Sequence, residues 1–323
     1  MDTMYASVIL PYLSHALLLV SAVLLFWLYL ANRKAVKAAE RSYPPGGSFV
    51  EVEGTRLHYL EKGKGRPLVF LHGGILSSYD FSAVLTEAAS RGYRAIAFDR
   101  PGYGYSERPK KRRLTPRDQA HLLKEALAAL QAEQPILVGH SWSASLALAY
   151  ALAYPRELSG LVLLAPGAYG GKAYPAGAAD LLLGQLMRLP LLGSLLAHTL
   201  LPPLARKLSF AMVQSTFSPD PVPAGYLAAA RALWARPGQL KANREDVLAY
   251  VQTVPDMERH YASIATPMVI VVGEQDPFRP ELQGLRLHRA VKGSQLVRLP
   301  QTGHMIPDVN PKAVVDAVEL LDL

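Results

Sequence analysis

The sequence predicts an α/β protein on a mostly parallel sheet, with a helical insert in its second half and a transmembrane helix ahead of it. Three observations carry this. Short continuous apolar runs, such as PLVFL at 67–71, LSGLVLLA at 158–165 and PMVIVVG at 267–273, recur between helical patterns. Strands buried on both faces of a parallel sheet have this composition. The stretch 167–262 breaks the alternation: it has no convincing strand and is cut into helices by Pro190, Pro202, Pro203, Pro219 and Pro237. Finally, residues 8–31 (VILPYLSHALLLVSAVLLFWLYLA) carry no formal charge. As a helix rising 1.5 Å per residue they cover about 36 Å, enough for a bilayer core.

The apolar segment places Tyr12, Trp27 and Tyr29 near its ends, where interfacial aromatics sit. Pro11 and His15 weaken its first turns, so the lipid-buried part is expected nearer 16–30. No basic residue precedes it and no small-x-small cleavage site follows, which favours a retained single-pass anchor over a signal peptide. Arg33, Lys34, Lys37 and Arg41 follow the span and only Asp2 precedes it, so the positive-inside rule leans the globular part towards the cytoplasm. Glycine is absent from 8–31, leaving Ala and Ser alone for close helix packing and leaving homodimerisation through the span open. Residues 1–47 thus read as anchor and helical stalk, ended by YPPGG at 43–47.

Residues 48–166 and 263–323 read as the α/β core. Alternation at 49–53 and 56–60 around Gly54 predicts a hairpin. The strand at 67–71 enters His72-Gly73-Gly74 and a helix near 80–89. The strand at 94–98 enters DRPGYGYS at 99–106. Thr115, Pro116 and Asp118 are the N-cap, first position and first-turn acid of the next helix. After the strand at 158–165, two more follow at 267–273 and 295–299, and Asn310 opens a closing helix to Leu321. The insert, 167–262, is expected to be a helical cap. Its part at 181–201 is too broken for a second span, yet more apolar than a surface helix needs. A small subdomain with its own core and a lid accepting acyl chains are compatible readings of it.

Composition narrows the function classes. The 323 residues are 50% hydrophobic, include no Cys and carry a formal charge of +8. A disulfide scaffold and cysteine-based metal sites or nucleophiles are excluded. The positive charge suits anionic surfaces such as phospholipid headgroups, and no nucleic-acid-binding module accompanies it. Arg108 to Arg113 (RPKKRR) leaves the sheet on the active-site side and is a candidate for headgroup contact.

The chemical signal centres on QPILVGHSWSASLALAY at 134–150: an apolar strand, a break at Gly139, Ser141 in the turn, then a helical pattern. Strand, tight turn and helix form the frame that exposes a nucleophilic serine. The Trp142 N–H at the helix start would face a developing negative charge. Asp276 and His304 each follow a buried strand, and strand C-terminal ends converge on one crevice in an open parallel sheet. Serine needs an imidazole to take its proton, and the imidazole needs a carboxylate to orient it. Ser141, Asp276 and His304 supply one of each. Glu274 is the rival acid. His72 reads as an anchor of its loop, Asp99 and its Gly-rich turn as architecture, and His140 as packing beneath the turn.

HGG at 72–74, DRPGYGYS at 99–106, GHSWS at 139–143, GEQD at 273–276 and Gly303-His304 together resemble the α/β-hydrolase fold, from about residue 48 to the end apart from the insert. The resemblance implies Ser141 as nucleophile, His304 as general base then acid, Asp276 as its orienting carboxylate, and the Gly74 and Trp142 amides as oxyanion hole. It places the insert, after the sixth core strand, at the usual cap position, and implies no metal or organic cofactor. Ser143 stands where the family usually has Gly, so a slightly shifted turn is expected. A serine nucleophile argues against dehalogenases and epoxide hydrolases, whose nucleophile is an Asp. The layout resembles single-pass monoacylglycerol lipases and anchored bacterial phospholipases, hence the expectation of a membrane-anchored serine ester hydrolase acting on lipid-derived acyl esters. The alternatives are a tethered small-molecule esterase, amidase or carbon–carbon bond hydrolase, and, from another class, a binding or signalling protein with little turnover. An amidase of the aminopeptidase type would need cap carboxylates, drawn from Asp180, Asp220, Glu245, Asp246, Asp256 and Glu258.

Overall fold

The computed structural model describes residues 2–109, 114–174 and 176–321, with side chains from residue 12 onward. Helix α1 (Asp2–Ser42) is continuous from the apolar segment into the stalk. From Tyr12 to Leu30 it buries no contiguous face against the protein, and Leu17, Leu18, Leu19, Val20 and Trp27 are all exposed.

The core alternates as the apolar runs require. It begins with β1 (Ser48–Val52), β2 (Thr55–Lys62), β3 (Arg66–Leu71), α2 (Ser82–Ser90), β4 (Tyr93–Phe98) and α3 (Pro116–Ala129). It continues through β5 (Ile136–His140), α4 (Ser143–Ala153) and β6 (Gly160–Leu164). Five helices follow: α5 (Ala178–Arg188), α6 (Pro190–His198), α7 (Leu201–Phe217), α8 (Tyr226–Leu233) and α9 (Pro237–Met257). The core then resumes with β7 (Met268–Gly273), α10 (Gly284–Ala290), β8 (Gln295–Leu299), α11 (Ile306–Val309) and α12 (Pro311–Glu319). Thr115 caps α3 by accepting from the Asp118 amide, and Asn310 caps α12 by accepting from Ala313. Helices α10 and α11 lack the apolar periodicity that reveals longer helices in a sequence.

Eight strands form one sheet in the order β1-β2-β4-β3-β5-β6-β7-β8. The two edge pairings involving β2 are antiparallel and the rest parallel. Strands β5, β6 and β7 are buried along their full length, which is why their sequences are unbroken apolar runs. Chain order reverses direction between β3 and β5, so the loops leaving those two strands splay apart and open a crevice.

The prolines of the insert are helix starters as much as breakers. Pro190, Pro202 and Pro237 each occupy the first turn of α6, α7 or α9, where the missing N–H costs nothing. Helices α5 and α6 meet at 111°. Helix α9 locks onto the core from above. Asp246, buried, accepts from Arg100 Nη1 at 2.5 Å and from Arg108 Nη2 at 2.9 Å. It also accepts from Gln119 Nε2 at 3.1 Å and Tyr103 Oη at 3.0 Å. Arg108 is therefore an internal tie and not a headgroup contact, because Asp246 and Glu245 consume its guanidinium. Residues 110–113 of that basic run lie outside the described residues. Removing one partner of a buried ion pair strands the other charge, a loss of about 3–5 kcal/mol. Asp246→Ala is expected to lose stability of that order, read as a lowered urea midpoint.

Candidate active site

Three residues meet at the C-terminal ends of three strands. Ser141 Oγ lies 2.9 Å from His304 Nε2, and His304 Nδ1 lies 2.8 Å from Asp276 Oδ2. The structure thus brings together Ser141, Asp276 and His304. Glu274 lies elsewhere, paired with Arg298 at 3.0 Å on the surface.

Each member is placed by its local backbone. Ser141 sits in the left-handed region at φ 53°, a conformation costly for a side-chain-bearing residue and kept only where the surroundings enforce it. Its amide donates to Leu164 of β6, and its carbonyl accepts from Gly167 and Ala144. Gly139 lets α4 approach: a Cβ there would come within 2.8 Å of the Ser143 carbonyl oxygen. Asp276 accepts from the Phe278 amide. Burial alone would raise the Asp276 pKa, but the charge and hydrogen bond of His304 and that amide outweigh it and hold the carboxyl below its usual range. The His304 carbonyl accepts from His140 Nε2 at 2.9 Å, so His140 props the histidine loop from beneath. Burial, reinforced by His304, pushes the His140 pKa down to about 3 and keeps it uncharged.

The serine at 143 is a tie. Ser143 is fully buried and its hydroxyl donates to the His72 carbonyl at 2.5 Å, joining the start of α4 to the loop after β3. A glycine there could not make that bond, so the departure from the family pattern adds a contact.

The loop after β3 carries Gly74 into the cavity lined by Ser141, and α4 begins at the Trp142 amide. Arg100 fixes this loop from behind. Its Nε donates to the His72 carbonyl and its Nη2 to the Gly73 carbonyl, each at 3.1 Å. In a planar trans peptide the N–H points opposite to the C=O. Turning the Gly73 carbonyl towards Arg100 therefore turns the Gly74 N–H away from it. His72 donates from Nδ1 to the Gly73 carbonyl and accepts the Arg100 amide at Nε2, which sets its tautomer. Burial first, then Arg100, push its pKa down to about 3, so it serves as a neutral brace. The turn at 99–106 is likewise architecture. Asp99 accepts from the Ser78 and Tyr105 amides and lies 2.7 Å from His58 Nδ1. At Gly104, φ +50°, a Cβ would fall 1.9 Å from the Asp99 carboxylate.

Two contributors left no trace in the sequence. Arg100 gives no sign that it reaches Asp246 across 146 positions. Asn243 of α9 accepts from Arg244 at its Oδ1, while its Nδ2 lies 3.4 Å from where a Gly74 Cβ would sit. Among the described residues that N–H has no acceptor, so it is available to a substrate oxygen beside Gly74.

The cavity in front of Ser141 has a volume of about 560 Å³. Leu183, Leu201, Leu204, Leu208, Met212 and Val247 line it, with Asn243, Arg244 and Asp180 as its main polar groups away from the triad.

A family described as alpha/beta hydrolase fold matches residues 66–311. The chain belongs to that family and is a hydrolase of the α/β fold. It is 30% identical over 256 residues to a 2-hydroxy-6-oxononadienedioate/2-hydroxy-6-oxononatrienedioate hydrolase 2 of Pseudomonas putida, covering 77% of this chain and 85% of that one. It is 26% identical over 264 residues to an uncharacterized hydrolase of Bacillus subtilis, covering 81% and 91%. Among solved structures, an α/β hydrolase fold protein from Burkholderia ambifaria superposes with TM-score 0.70 at 25% identity over 84% of this chain and 96% of that one. An esterase from Exiguobacterium antarcticum superposes with TM-score 0.69 at 21% identity over 86% and 100%, a likeness of fold alone.

Replacing Asp276 by Asn presents the wrong hydrogen-bonding partner to His304, and a fall in kcat of about 10⁴ is expected with the fold retained by circular dichroism. Arg100→Lys keeps a charge but not the fork that holds two carbonyls. It is expected to lower kcat about 10²-fold, the scale of one oxyanion donor, with KM little changed.

Proposed function

We propose that the protein is a membrane-anchored serine ester hydrolase that cleaves acyl esters of lipid origin, monoacylglycerols, lysophospholipids or phospholipids, through an acyl-enzyme on Ser141. Ser141 Oγ attacks the ester carbonyl as His304 Nε2 takes its proton, and Asp276 stabilises the imidazolium. The tetrahedral oxyanion faces the Gly74 and Trp142 amides. Collapse expels the alcohol, protonated by His304. A water then attacks the acyl-enzyme with His304 again as base, releasing the acid and restoring Ser141. The observation that carries this reading is the hydrogen-bonded Ser141–His304–Asp276 chain opening into a cavity walled by leucines and Met212. An apolar wall holds an acyl chain without specific contacts. Helix α1 supports attachment to a membrane as a single-pass anchor, and the basic residues after it favour the cytoplasmic side.

Carbon–carbon bond hydrolysis is the second reading, favoured by relatives named as 2-hydroxy-6-oxo-dienoate hydrolases. Such carboxylate substrates call for a free cation. Among the described residues, the one guanidinium lining the cavity, that of Arg244, is already paired with Asp180 at 2.7 Å. An aminopeptidase-like amidase fares worse. Each cap carboxylate is already engaged: Asp180, Glu245, Asp246, Asp256 and Glu258 by arginines, Asp220 by the Gly303 amide. In detergent, p-nitrophenyl esters from acetate to palmitate are expected to show kcat/KM rising over several methylenes. Each buried methylene is worth about 0.8 kcal/mol, or roughly fourfold, if it is also held in the transition state. Ser141→Ala is expected to abolish the turnover. A preference for acetate would oppose the lipid reading, and turnover only on dienoate ring-cleavage products would favour the second.

A further inference from the structure

We propose that the outer face of α6 and α7 lies in the bilayer interface beside α1, so that the active-site cavity opens towards lipid and acyl substrate enters from the membrane. This deepens the proposed function and rests on its reading of α1 as a membrane helix. Four observations converge on it.

First, α6, the start of α7 and the residues between them expose Leu191, Leu192, Leu195, Leu200, Leu204 and Leu208, with Leu191 88% exposed. A contiguous apolar surface of this kind marks an interaction site on a soluble protein. Second, the patch is fixed next to α1. Asn32 Nδ2 donates to the His198 and Thr199 carbonyls at 3.1 and 2.8 Å, its Oδ1 accepts from Arg206 at 2.5 Å, and the Tyr29 and His198 rings lie 6.3 Å apart. Asn32 immediately follows the apolar segment, so the α6–α7 junction sits where α1 would leave the hydrocarbon. Third, two of these leucines also wall the cavity. Leu204, Leu208 and Met212 line the cavity that contains Ser141 and His304, yet each is about half exposed. The mouth therefore opens through the apolar face of α7. Fourth, the charges fit an anionic lipid surface. Residues 190–217 contain Arg206 and Lys207 and no Asp or Glu, and Arg33, Lys34 and Lys37 follow on α1. A helix with apolar and basic residues so arranged lies in the plane of the interface.

The sequence contains no Cys, so single cysteines can be labelled in the full-length chain. An environment-sensitive fluorophore is placed at Leu191→Cys, at Leu18→Cys within α1, and at Lys64→Cys on the exposed loop before β3, at the opposite end of the sheet. Each variant is reconstituted in phosphatidylcholine–phosphatidylglycerol vesicles with acyl-chain-brominated lipid, and iodide is added to the medium. The expected result is that the label at position 191 is quenched severalfold more strongly by brominated lipid than the label at 64, and severalfold less by iodide. Iodide quenching at 191 equal to that at 64 overturns the proposal. Protection from iodide without quenching by brominated lipid also overturns it, and identifies a second copy of the chain as the cover. The label at 18 reports separately on the reading of α1, and none of these signals depends on turnover. As a functional arm, a Leu182→Glu, Leu191→Glu and Phe210→Glu variant, altered only at exposed positions outside the cavity wall, is expected to lose most hydrolysis of a vesicle-borne monoacylglycerol while p-nitrophenyl acetate turnover stays unchanged. Equal retention of both activities would overturn lateral entry.

Discussion

The buried contact between Arg100 and Asp246 is the constraint on which the site depends. An unpaired guanidinium this deep would be untenable, so wherever Arg100 goes an acid must follow. That acid comes from the helical insert, and its arrival fixes α9 over the crevice. The remaining donors of Arg100 hold the His72 and Gly73 carbonyls, and its face packs 4.1 Å from the Trp142 ring and 4.3 Å from that of Tyr103. One side chain thereby links the turn after β4, the loop after β3, the start of α4 and the cap. The Gly74 and Trp142 amides come from the ends of two of those elements. Their preorganisation is a consequence of satisfying one buried charge.

The other supports follow the same logic of exhausting polar groups behind the site. Gln239 of α9 donates to the Ile75 carbonyl at 2.7 Å, holding a residue whose backbone is itself left-handed at φ 60°. The Thr216 carbonyl at the end of α7 accepts the His304 amide, and Asp220 accepts that of Gly303. Core and cap together fix the loops of the triad, and the groups left over point into the cavity. The left-handed backbone at Ser141 is tolerated because its amide and carbonyl are both engaged by neighbouring strands and turns.

Much of this was legible in the sequence because it is local. A strand that must be buried on both faces is an apolar run. A serine between such a run and a helix, with an acid and a histidine just past two later strands, converges by topology alone. The insert declared itself by its prolines and its lack of alternation. What remained hidden was pairing at a distance. Arg108 looked like part of a basic run open to headgroups, and only the fold reveals Glu245 and Asp246 beside it. Ser143 looked like an imperfect glycine, because its hydrogen bond to His72 joins loops that leave two different strands, 71 positions apart in the chain. Arg100 and Asn243 carry no periodic signal, since each is defined by what reaches it from another element.

The cap divides its labour along its own length. Helix α9 carries the hydrogen bonds that hold the loop after β3, whereas the first turns of α7 contribute apolar walls with no hydrogen bond to that loop. Much of the cavity wall is therefore written in a different stretch from those supports, although Asn243 and Val247 of α9 also line it. Exchanges among Leu201, Leu204, Leu208 and Met212 can reshape the cavity without altering Ser141, His304 or Asp276. Such a division makes the enzyme readily adaptable: selection can move its substrate range by small steps in α7, each leaving a working active site behind it.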